Sequence, residues 1–157
     1  MNRPLRASGI LAASGVFAFV GYAFINPDTV AWYDALVKPS LVPPDELFLP
    51  TWLITFALAI GAAFIIWLRK PESRYAETWM RFFFLQLLFS SWWILFFFVL
   101  NSLFFSLIDG IVVAFTLLAM TLTAWEMDGR AALLFLPYSL LALLSAFLMA
   151  ILWYINN

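Results

Sequence analysis

Only a few side chains in this sequence are equipped for chemistry. Its 157 residues include no cysteine and no histidine, which removes thiol nucleophiles, the usual zinc and haem ligands and the commonest general base. No metal site and no resident cofactor are therefore expected. What remains is a carboxylate deep in one apolar run, Asp109, an amide in another, Gln86, and a dense supply of aromatic rings. An ionised carboxylate in hydrocarbon is costly unless it is partnered or wet, so Asp109 should face neighbouring helices. There it would serve as the polar pole of a cavity, as a proton site, or, more simply, as a hydrogen-bond clamp between helices.

The setting of these groups follows from composition. With 66% hydrophobic and 11% charged residues, against roughly 25% charged in soluble domains, the chain cannot cover a water-facing surface. Its solvent must be lipid, and the partner expected first is the bilayer. A net charge of -1 offers no basic patch, so nucleic acid is excluded as a partner. A helix needs roughly 20 apolar residues to cross the hydrocarbon, and the sequence holds five such runs: about 9–25, 47–68, 79–100, 102–125 and 131–154. The expected fold is an all-α membrane protein, one five-helix transmembrane domain over residues 1–157. No alternating barrel pattern competes with it. Arg3 and Arg6 before the first run resemble a secretory signal, but no small-residue cleavage site follows, and a retained span is expected.

Five crossings put Arg3, Arg6, Arg69, Lys70, Arg74, Arg81 and Arg130 on one side and leave Lys38 on the other. By the positive-inside rule the N-terminus is cytoplasmic and the C-terminus periplasmic, in an integral membrane protein expected in a bacterial inner membrane. Asn101 and Ser102 leave room only for a tight reversal between the third and fourth spans. The long outer connection, residues 26–46, contains Pro27, Pro39, Pro43 and Pro44. It should form a structured lid with a short helix over 29–37 capped by Asp28.

Depth matching along antiparallel helices supplies neighbours for the polar groups. Ser90, Ser91, Trp93 and Thr55 should lie near Asp109, and Gln86 should hydrogen-bond Tyr138. Pro137 should kink the fifth span and free a carbonyl. Small residues recur four apart, as in Gly9 and Ala13, Ala57 and Gly61, Gly110 and Ala114, and Ala142, Ala146 and Ala150, giving faces for close packing or a dimer seam. An interfacial belt explains most Trp and Tyr residues at span ends. Trp32, Tyr33 and Trp52 differ, because a proline-stiffened loop should hold them over the outer mouth of the bundle. Flat aromatic walls there suit a planar macrocycle or steroid, and Leu141 and Leu144 would add an aliphatic wall.

Trp32, Tyr33, Leu36, Lys38, Pro39, Pro43 and Pro44 spell WYxxLxKPxxxPP. This pattern resembles the signature of the TspO/MBR family, the tryptophan-rich sensory proteins and translocator proteins, also called peripheral-type benzodiazepine receptors. The resemblance continues through Phe48, Pro50 and Trp52, then Gln86, Trp93, Phe97 and Phe98, then Asp109, and finally Pro137 and Tyr138. It implies five spans and a receptor or transport-related role. The implied guest is a porphyrin, another tetrapyrrole or a sterol such as cholesterol, in a cavity open toward the long loop. It also implies a homodimer. Leu36, Pro39, Pro43, Phe56, Gln86, Ser90, Trp93, Phe97, Asp109 and Tyr138 join the candidate ligand-binding residues on this basis.

Several positions depart from the family pattern: Leu41, Glu46 and Leu141 replace Trp, Ser90 and Met149 replace Asn, and Phe56 replaces Tyr. The light-dependent porphyrin-degrading activity attributed to some members is tied to a pair of tryptophans. Here Trp52 remains, but position 141 carries Leu. Binding is thus expected ahead of an enzymatic role, with a regulatory or structural partner of vestigial pocket as the other alternative. A proton-coupled carrier is disfavoured, since only one ionisable group lies deep in a span and no inverted repeat is evident. Val30, Tyr33 and Lys38 also fit a loose cholesterol-contact pattern.

Overall fold

A backbone surrounded by lipid must close its hydrogen bonds within itself, and apolar runs of this length do so as helices. The computed structural model of the chain describes residues 8–12, 14–16, 19, 27–69 and 74–157. Among the described residues there is no strand. A short helix, α1 (Pro27–Ala35), precedes α2 (Asp45–Arg69) and α3 (Arg74–Ile94). Helix α3 runs on as a π-helical turn over Leu95–Val99, and α4 (Leu103–Met127) and α5 (Gly129–Asn156) follow.

Among the described residues, four stretches are long and apolar enough to cross a membrane: Glu46–Leu68, Arg74–Val99, Leu103–Met127 and Gly129–Asn156. They correspond to the expected second to fifth spans. Most of the expected first span, 9–25, lies outside the described residues, as do Arg3, Arg6 and Lys70 of the charge count. Residues 8–12, 14–16 and 19 are helical, and Ile10 is packed into the main core.

The helix ends follow from local chemistry. Helix α1 begins at Pro27, two residues earlier than expected, because proline at a first helical position gives up no bond and already has the right φ. Asp28 therefore sits inside the first turn and not at the cap. At the far end of α3, Leu100 N–H bonds Leu95 O at 3.0 Å and Ser102 N–H bonds Phe96 O at 3.0 Å. This wide turn is closed by Asn101 at φ 49°. Left-handed backbone strains most side chains, and asparagine tolerates it better than most. Ser102 then caps α4, its hydroxyl accepting from Phe105 N–H at 3.3 Å.

Asp128 alone separates α4 from α5 and serves both. Its own N–H bonds Ala124 O at 2.8 Å, and its carboxylate accepts from Arg130 N–H at 2.9 Å and Ala131 N–H at 3.4 Å.

The main core joins α2, α3, α4 and α5. Ala59, Ala62 and Ala63 on α2 and Ala131 and Ala132 on α5 are fully buried, so these backbones approach closely. The expected small pair on α2 is displaced, because Ala57 is exposed and the neighbouring face carries the contact. Polar rivets cross the bundle. Trp79 Nε1–H donates to Met120 O at 2.9 Å, tying α3 to α4, and Thr121 and Ser139 share a hydroxyl bond between α4 and α5.

Asn101→Val should lower stability by about 1–2 kcal/mol through left-handed strain, and Asn101→Gly should not. Asp128→Ala should cost about 1 kcal/mol as a lost cap. Thermal unfolding of the detergent-solubilised protein, followed by tryptophan fluorescence, measures all three.

Candidate functional site

Trp52 and Phe56 lie four apart on α2 and so share one face. Both rings meet Tyr138 of α5, with centroids 6.0 Å and 5.9 Å away. Tyr138 is buried, and its hydroxyl donates to Gln86 Oε1 of α3 at 3.3 Å. This is the expected bond. Ser90 Oγ donates to the same oxygen at 3.2 Å. One end of the Gln86 amide thus holds two hydroxyls, whereas Nε2 has no partner among the described residues. Turning the amide over would only exchange which end is left unpaired. Trp52 Nε1 is likewise buried without a partner. Two unused N–H donors therefore flank the Tyr138 ring inside an aromatic wall.

The loop aromatics form a second group. Trp32 and Tyr33 of α1 pack edge-on against Phe97, with centroids 5.1 Å and 6.0 Å away. Phe97 in turn stacks on Trp93 at 4.9 Å and 8°. Leu36, Phe98, Leu107, Met149 and Leu152 are among the residues that join this cluster. The π-helical turn carries Phe97 and Phe98, so the irregular end of α3 is the platform on which α1 rests.

Trp32 and Tyr33 were expected beside Trp52 over one mouth. The structure places them in separate packed clusters, with Trp52 lying against Tyr138.

Asp109 is buried on α4, and its Oδ2 has no hydrogen-bond partner among the described residues. The indole of Trp93 lies against the next residue, 3.6 Å from where a Cβ on Gly110 would stand. The hydroxyls expected to serve Asp109 are engaged elsewhere. Thr55 bonds Thr51 O and Trp52 O, Ser91 bonds Leu87 O, and Ser90 bonds Gln86. These groups satisfy themselves locally, as Ser and Thr in helices readily do, so no clamp forms through Oδ2.

Pro39 is partly buried and Pro43 exposed. Leu141 is partly buried, while Leu144 is exposed on the side of α5 opposite Ala142. Among the described residues no three His, Cys, Asp or Glu side chains gather as a metal site requires.

Sequence reasoning missed Asn156. Its amide bonds both backbone groups of Val37, with Val37 N–H to Oδ1 at 2.9 Å and Nδ2 to Val37 O at 2.9 Å. A pair of adjacent amides, Asn156 and Asn157, closing an apolar run is the signal the sequence offers for it.

The sequence profile of the TspO/MBR family matches residues 9–155. The chain belongs to the TspO/MBR family. Protein CrtK of Rhodobacter capsulatus is 30% identical over 127 residues, covering 80% of this chain and 79% of that protein. The tryptophan-rich protein TspO of Bacillus cereus is 30% identical over 128 residues, covering 80% of each. The human translocator protein is 30% identical over 61 residues, 39% of this chain and 36% of its own. This TspO/MBR member is an integral membrane protein with several apolar helices. Two departures from the family pattern have structural homes: Ser90 supplies the hydroxyl on Gln86, and Met149 fills the cluster under α1.

Replacing Asp109 by Leu removes an unpaired carboxylate from a membrane interior and should raise stability by about 1–3 kcal/mol. Tyr138→Phe should lower it by about 1 kcal/mol, since Ser90 still serves Gln86. Denaturation in mixed micelles measures both, and a destabilised Asp109→Leu would reveal a partner for the carboxylate.

Proposed function

We propose that this TspO/MBR member is a receptor or transport-related protein that takes a hydrophobic, planar guest between its helices, beneath the 26–46 segment. The observation that carries this reading is the pair of buried, unpaired N–H groups on Trp52 and Gln86 beside the Tyr138 ring. In a membrane interior such donors cost about 1–3 kcal/mol each when left unmade. A guest with a flat apolar body and an oxygen acceptor at its edge satisfies them and stacks on the rings around them. Porphyrins and other tetrapyrroles with carboxylate edges fit that description, and sterols fit it with a single hydroxyl. The names of the relatives, tryptophan-rich protein and translocator protein, agree with an aromatic site in a membrane carrier or sensor.

The same reading has five spans in one domain, the N-terminus cytoplasmic, the C-terminus periplasmic, and the 26–46 segment outside. It places the protein in a bacterial inner membrane as a homodimer. Trp52, Phe56, Gln86, Ser90 and Tyr138 are the residues assigned to the guest's polar edge. Trp32, Tyr33, Trp93 and Phe97 form the wall nearer the outer end.

Titrating protoporphyrin IX into the protein in liposomes should quench tryptophan fluorescence saturably at micromolar concentration. Trp52→Ala should weaken binding at least roughly fivefold, the scale of about 1 kcal/mol. Absence of saturable quenching by any tetrapyrrole would reject the reading. A Soret band that decays faster under illumination in the complex than in free porphyrin would convert the receptor into an enzyme.

A further inference from the structure

We propose that Asn156 is the positioning residue that latches the segment after α1 over the outer end of the bundle, and that its release governs how fast a guest enters and leaves. This deepens the ligand reading above and rests on it. Asn156 is the last residue of α5, 119 positions from Val37. Its Nδ2 donates to Val37 O at 2.9 Å and to Leu152 O at 2.8 Å, while its Oδ1 accepts from Val37 N–H at 2.9 Å. Two carbonyls face the nitrogen and an N–H faces the oxygen, so only one orientation of the amide fits. The side chain thus copies a rung of sheet, pairing both main-chain groups of one residue where the segment is neither helix nor turn.

The forces on either side of Val37 differ in kind. Upstream, α1 is held by apolar ring contacts of Trp32 and Tyr33 on Phe97. Lys38 folds back onto α1, its Nζ 3.2 Å from Asp34 Oδ1 and 3.8 Å from the Tyr33 ring centre. Those contacts tie Lys38 to α1. The Asn156 amide is a polar link from this segment to α5, and it lies where Val37 is 64% exposed and water competes. Hydrogen bonds in that setting are individually modest. Such a latch opens often without unfolding anything else, as a gate must. Opening frees residues 37–44 while α1 and Leu36 stay seated on the Phe97 cluster.

The chain has no cysteine, so spin labels go where they are put. In liposomes, Ser40→Cys paired with Tyr154→Cys should give one narrow distance distribution. Asn156→Ala should broaden it toward longer distances. Val37→Pro, which deletes the N–H that Oδ1 accepts, should do the same. The two changes together should do no more than either alone, because they cut one interaction. Asn156→Asp keeps the acceptor and loses the donor, and should fall between. A control pair, Phe105→Cys with Tyr154→Cys, should stay narrow in every variant.

In stopped-flow quenching by protoporphyrin IX, Asn156→Ala and Val37→Pro should raise association and dissociation rates together by roughly tenfold. The ratio of the two rates should hold to within about twofold. Unchanged label distances in both variants overturn the latch, and so does equal broadening of the control pair, which would mean a frayed α5. Faster exchange without a change in distance also overturns it. If the wild-type protein binds no porphyrin, the receptor reading falls, and the label distances alone decide whether Asn156 holds the segment.

Discussion

No water reaches the middle of a bilayer, so a polar group there finds its partner inside the protein or goes without. That constraint organises this bundle. Most hydroxyls turn back onto their own helix: Thr116 bonds Val112 O, Thr123 bonds Ala119 O, Ser106 bonds Ser102 O and Ser91 bonds Leu87 O. A few cross between helices, and those register the helices against one another. Trp79 on the Met120 carbonyl, Thr121 on Ser139 and Tyr138 on Gln86 fix α3, α4 and α5 as a unit. Against that pairing, the exceptions among the described residues, those at Trp52, Gln86 and Asp109 included, are informative. These three lie where the helices also present aromatic rings.

Packing supplies what hydrogen bonds do not. Lipid tails are as apolar as leucine, so burial of apolar surface gives helices little reason to associate, and close approach must do so instead. The alanines of α2 and α5 let those two backbones come together. At the end where α1 packs the solution is the opposite, with rings in place of small residues. Phe97 is the shared surface for Trp93, Trp32, Tyr33 and Phe98. A π-turn places it there, at the cost of regular helical bonding over Leu95–Val99. Such irregularities in helices are frequent at functional sites.

The apolar runs made the long helices legible in the sequence, because length and composition alone decide what can span hydrocarbon. The Asn101 and Ser102 reversal was legible too, since an αL-tolerant residue next to a capping residue leaves few alternatives. The Gln86–Tyr138 bond followed from depth counting. The expectation that a proline-stiffened loop holds Trp52 with Trp32 and Tyr33 over one mouth is not met, since Trp52 packs against Tyr138. Tyr138 stands 18 residues before the end of α5, roughly 27 Å by helical rise, while Trp52 is only roughly 10 Å from the start of α2. Helix α5 therefore reaches well past the beginning of α2. Its tip arrives beside Val37, a contact between residues 119 apart that no local pattern announces.

That overshoot also bears on how the departures from the family pattern are to be understood. The family expectation places an indole at position 141 and an amide at 149, both on α5. Here Leu141 is partly buried, and Met149 is packed with Phe97 and Leu152 under α1. Leucine and methionine fill space but donate no hydrogen bond, and methionine adapts its shape to neighbouring rings. On the proposed reading, α5 has exchanged directional groups for pliable ones, and the donors left to meet a guest are on α2 and α3. Recognition would then depend on Trp52 and Gln86 for direction and on the aliphatic α5 face for bulk. Such a site discriminates weakly among flat hydrophobic molecules of similar size, since apolar contacts reject a wrong shape far less sharply than unpaired polar groups do. Polar selectivity in this chain would thus rest on the two helices whose N–H groups are unpaired.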